Sequence, residues 1–182
     1  MEKKYKLTEE TISYNLKTLY RVEALKDFGD VKMGDKGGFV ESEKNLSQYR
    51  NCWVCNDAKV FDNAEVCGNA MVCDNAKIYG DAVVCDNAEI CDNAVIGSNA
   101  KVYENTVICN NAKVYGNSVV YGKAIVYADA VVCDNAEIFD NAIVFGNAEV
   151  YGNAKIYEDA IICGNAKVCG DTEICGTEKV CS

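Results

Sequence analysis

From Val54 to Lys179 the apolar positions recur every six residues without an insertion, in blocks such as VCNDAK, VFDNAE, VCGNAM, VCDNAK and IYGDAV. The first residue of each hexad is Val or Ile, the second is Cys, Tyr or Phe with Gly97 as the exception, and the fifth is nearly always Ala. Internal repetition is read before local propensity, because a fixed period determines the architecture. Strand alternation then turns Ala inward, the sixth residue outward, the next Val or Ile inward and the following Cys or Tyr outward. The Asp-Asn and Gly-Asn pairs between these short strands suit turns, since Asn and Gly tolerate positive φ better than other types. They predict the corners of a coil.

The pattern of aliphatic, any, any, Asn or Gly, small, any resembles the hexapeptide repeat of left-handed parallel β-helices. That resemblance implies an all-β, single-stranded left-handed helix with three hexads per triangular coil. About seven regular coils would form a rod roughly 34 Å long at about 4.8 Å per strand. Upstream, ALKDFGDVKMGDKGGFVESEKNLSQYRNCWV (residues 24–54) is similar to the amino-terminal segment of bacterial and phage-borne hexapeptide-repeat proteins often labelled transferases. The expected organisation is a cap over residues 1–38, an irregular first coil over 39–53 and the regular helix over 54–182. A cap is needed because an open coil end exposes both apolar interior and unpaired backbone. Glu178 falls at an inward position, where an unpaired carboxylate is too costly to bury, so the regular core should finish there.

With three hexads per coil, residues 18 apart stack in one column. The first face then carries Trp53, Met71, Glu89, Val107, Ile125, Ile143 and Ile161, beside Cys55, Cys73, Cys91, Cys109, Tyr127, Phe145 and Cys163. The other two faces mix Lys and Glu into the equivalent column. Large contiguous apolar patches usually mark an interface. Self-association as a dimer or trimer is therefore expected through Val107, Ile125, Ile143, Ile161, Cys109, Tyr127, Phe145, Cys163, Met71 and Trp53.

The net charge is −10, and residues 1–50 hold ten Lys or Arg against nine acids, so the repeats carry the acidity. Asp86, Glu104, Asp140 and Glu158 share a corner column, with Asp159 adjacent. This column is a candidate surface for a protein partner, in the manner of an inhibitor that imitates nucleic acid. Direct nucleic-acid binding is not expected of an acidic rod. Calcium binding is not expected either, since hard cations want six to eight converging oxygens and a column offers one carboxylate per step.

Acyltransferases of the resembled family use a His base in a cleft between subunits, helped by a long projecting loop. These 182 residues contain no His, and no insertion breaks the hexads. Exposed carboxylates near their reference pKa are poor bases at neutral pH. No catalytic residue, cofactor or metal is therefore expected, and the twelve Cys read as small hydrophobes on partly covered faces. In particular, Cys55, Cys73, Cys91 and Cys109 align with poorly directed Cβ vectors. No apolar run approaches the roughly 18 residues that span a bilayer. The start MEKKYKLTEE lacks the apolar core of a signal peptide. A cytoplasmic, non-catalytic interaction or scaffold protein is the expected function, and a degenerate transferase is the alternative.

Overall fold

A computed structural model describes residues 2–182. The chain folds as an all-β, left-handed parallel β-helix whose strands of mostly two residues stack into three sheets. Strands at one face pair in parallel register 18 residues apart, as in Val107↔Ile125↔Ile143↔Ile161. Val and Ile at the first hexad position and Ala at the fifth line the interior, almost all at 0% exposure. Small Ala beside β-branched neighbours lets three sheets converge on one narrow core. Two buried polar side chains stand in for Ala, and both are satisfied locally: Thr106 Oγ1 donates to Tyr103 O at 2.8 Å and Ser118 Oγ to Tyr115 O at 2.8 Å.

At each corner from Asn56 to Gly176 the first turn residue has φ between +52° and +78°, the left-handed region. The second turn residue is most often Asn, and its side chain ties one coil to the next. Asn99 Nδ2 donates to Asn117 Oδ1 at 2.9 Å, Asn117 to Asn135 at 3.1 Å, and Asn135 to Asn153 at 3.1 Å. Gly97, the one break in its column, has a separate cause. The Tyr79 ring leans across it, and a Cβ there would sit 2.8 Å from Tyr79 Oη.

The amino-terminal end is closed by β1 (Tyr5–Tyr14), β2 (Lys17–Ala24) and β3 (Lys36–Val40). These strands pair antiparallel in succession, and β3 then pairs in parallel with Lys59–Val60, so the cap extends the second face. Tyr5, Leu19, Val22 and Ala24 are buried against the first coil. Tyr5 Oη donates to Leu46 O at 2.6 Å. Lys4 Nζ, also buried, donates to Cys52 O at 2.8 Å and lies 5.0 Å from the Phe28 ring centre. A short 3-10 turn at Glu43–Asn45 carries the irregular first coil, and buried Asn45 donates to Asp62 O and Ala64 O at 3.0 and 2.9 Å. At the other end Glu178 is exposed, and Lys179–Cys181 adds a last strand to the first face.

Candidate functional site

Two surfaces follow from this stacking. On the first face, the parallel register places Val107, Ile125, Ile143 and Ile161 in one unbroken ladder, each half-buried by its neighbours. Beside it, Tyr127 and Phe145 stack with ring centroids 5.0 Å apart, and Cys109 continues the column below them. Charge enters the equivalent ladders of the other faces, where Lys155 pairs with Glu137 at 3.6 Å and Lys167 with Glu149 at 2.9 Å.

The expected patch is longer than the one the fold presents. Trp53 is 3% exposed, because the cap folds over it and sets Phe28 and Tyr5 edge-on to its indole at 5.3 and 6.3 Å. Met71 packs partly against the core, and Glu89 separates it from Val107. Cys163 is buried and bonded to Cys181 of the last strand. What remains as surface runs from Val107 to Ile161.

The second surface is the corner column. Asp86, Glu104, Gly122, Asp140 and Glu158 occupy successive corners in the left-handed region. Their carboxylates accept from the backbone N–H one coil on. Glu104 takes Gly122 N at 2.9 Å, and Glu158 takes Gly176 N at 2.7 Å. Asp86 takes Glu104 N at 3.3 Å, and Asp140 takes Glu158 N at 3.4 Å. Half of each carboxylate is thus used in holding the corner. An open groove of about 370 Å³ runs along Glu104, Asn105, Gly122, Lys123, Asp140, Asn141, Glu158 and Asp159. Sequence reasoning found its acids and missed its notch. Gly122 removes a side chain between Glu104 and Asp140, and Lys123 puts a cation among the acids. Both were visible as breaks in their columns.

The cysteine expectation needs correction at two steps. Cys55 with Cys73 and Cys163 with Cys181 are disulfide-bonded, at Cα separations of 4.6 Å. The parallel ladder holds these residues in register at a separation within the disulfide range, and side-chain rotation brings the sulfurs together. The other thiols are free, and Cys52 points inward at 0% exposure. Burial, with the neighbouring Cys85 sulfur, pushes the Cys67 thiol up to about 12. Desolvation likewise raises Tyr103, Tyr115 and Tyr121. These upward shifts run against a role for Cys67, Tyr103, Tyr115 or Tyr121 as base or nucleophile at neutral pH, which needs a depressed or matched pKa.

The sequence profile described as bacterial transferase hexapeptide (six repeats) matches residues 87–122, two successive coils in the middle of the rod. The chain is a hexapeptide-repeat β-helix protein. No curated protein matches it. The hexapeptide-repeat rod is not interrupted by an excursion: short strands and corners succeed one another at constant spacing from Trp53 to Ile174.

Proposed function

We propose that this hexapeptide-repeat protein is a non-catalytic interaction rod that self-associates through its first face and offers its acidic corner to a protein partner. The observation that carries the reading is the run of four uncharged residues Val107, Ile125, Ile143 and Ile161 between Glu89 and Lys179, on a fold whose other two ladders never place two uncharged residues in succession. All three ladders have the same strand requirement, so β-propensity alone does not account for the difference. An apolar ladder flanked by stacked Tyr127 and Phe145 has the character of an interface core.

Sedimentation of the native chain against an Ile125→Asp, Ile143→Asp double variant tests it. A dimer or trimer that becomes a monomer of unchanged far-UV spectrum supports the reading. A native chain that stays monomeric at high micromolar concentration refutes it.

The profile match at residues 87–122 favours a second reading, a transferase of unconventional machinery at a subunit seam. The absence of His and the raised Tyr and Cys pKa values weigh against it. Calorimetric titration with acetyl-coenzyme A and with nucleotide-sugars separates the two, because a transferase binds its donor without an acceptor. The interaction reading expects no heat.

A further inference from the structure

One cluster on the edge of the first face has a chemistry that neither self-association nor the acidic corner uses. Cys91 and Cys109 stand one coil apart in the same column, and Asp92 follows Cys91 at the corner. The two sulfurs and an Asp92 carboxylate oxygen all lie within 4.8 Å of one another, and all three side chains are half-buried. On the other side of Cys91, Cys73 is tied to Cys55, so Cys109 is the thiol left to pair with it.

The carboxylate is held in place at its corner. Asn110 holds Asp92 Oδ2 twice, through its backbone N–H at 3.0 Å and its Nδ2 at 2.8 Å. Asn110 Oδ1 is itself held by Ala128 N at 3.3 Å. Both bonds go to Oδ2 and leave Oδ1 available to a ligand. Such outer partners fix the direction and basicity of a metal-binding group.

We propose that Cys91, Cys109 and Asp92 form a binding site for a thiophilic divalent cation such as Zn²⁺, with the fourth position open to water. Two thiolates and a carboxylate are a donor set that suits zinc. With Zn–S bonds of about 2.3 Å and a Zn–O bond of about 2.0 Å, tetrahedral geometry sets the sulfurs about 3.8 Å apart and each about 3.5 Å from the oxygen, so side-chain rotation that shortens these distances by at most about 1.3 Å closes the site. Cys67 and Cys85 provide an internal comparison. They are a free pair at the same one-coil spacing, but Gly68 stands where the first site has Asp92.

The test is anaerobic titration of the native, disulfide-intact chain with Co²⁺, read by the thiolate-to-cobalt charge-transfer absorption and by displacement with Zn²⁺. One tightly bound equivalent is expected. Cys109→Ser should abolish the band, and Asn110→Ala should weaken binding by about 10- to 100-fold through loss of carboxylate orientation. Asp92→Asn should also weaken binding; because Asn tolerates the φ of +58° at this corner, that variant keeps the fold and its melting temperature reports it. Cys67→Ser should leave the band unchanged. Absence of the band, its survival in Cys109→Ser and Asp92→Asn, or its loss in Cys67→Ser would each overturn the assignment.

Discussion

Replacing Tyr5 by Phe isolates what the cap contributes to the rod. The substitution removes one hydroxyl and leaves the ring, which packs edge-on to Trp53 at 6.3 Å. That hydroxyl donates to Leu46 O at 2.6 Å in a buried setting, and Leu46 is itself fully buried at the irregular first coil. The variant therefore loses a hydrogen bond and leaves a carbonyl without this donor. A buried group left in that state costs about 1–3 kcal/mol. Trp53 is the chain's one tryptophan and is 3% exposed beneath the cap, so its fluorescence reports release of that end, while far-UV dichroism reports the coils. Urea unfolding should show the Trp53 midpoint lowered by that loss divided by m, with m itself unchanged. The dichroism midpoint should move less, since stability in a repeat fold is a sum of local and nearest-neighbour terms. As a control, Tyr49→Phe changes a side chain that is 63% exposed and should shift neither signal. Equal Trp53 midpoints for native protein and Tyr5→Phe would refute the idea that this hydroxyl seals the first coil.

Three further outcomes are expected. Leu16 is fully exposed with φ +63°, after Asn15 at φ +47°, so Leu16→Gly creates the Asn-Gly turn favoured by tight hairpins and should raise stability by about 1 kcal/mol in thermal unfolding. Lys17 bridges Asp62 and Glu41, which raises its pKa and, chiefly through that same Lys17 hydrogen bond, lowers that of Asp62. The Lys17 contribution is full below its unfolded pKa and lost as pH rises through the elevated folded value. That of Asp62 is present above its unfolded pKa and lost as pH falls through the depressed one. A pH series of urea midpoints should thus show losses at both alkaline and acid ends that Lys17→Met removes. Ser118→Ala restores the residue used at most equivalent positions while deleting the Ser118 Oγ bond to Tyr115 O, and should change stability by less than about 0.5 kcal/mol; a larger loss would assign the hydroxyl a role beyond satisfying itself.

The helix was legible in the sequence because each coil repeats the same local solution. Val or Ile, Ala and a turn pair with a left-handed first residue suffice to set register, and neighbours confirm one another at every step. The acidic corner column was legible for the same reason. A cap over residues 1–38 was expected, but its internal packing was not legible, since β1, β2 and β3 are joined by contacts that occur once: Lys4 with Cys52, Tyr5 with Leu46, Arg21 with Gly37 O. Trp53 was therefore read as surface when it is interior. Likewise, alternation places a cysteine on the outside without saying whether its sulfur meets the one above. At Cys55 and Cys73 it does, and at Cys91 and Cys109 the thiols remain free.

Constant register also restricts how a chain of this kind can change length. Gain or loss of 18 residues inserts or removes a whole turn and leaves every ladder aligned, as the Asn bridges between residues that far apart require. A single lost hexad would instead rotate everything downstream by one side of the prism. If it fell between Val107 and Ile125, the isoleucines would join a charged wall and the apolar strip would be cut in two. Growth by whole turns is thus the only route that lengthens the contact strip without dismantling it.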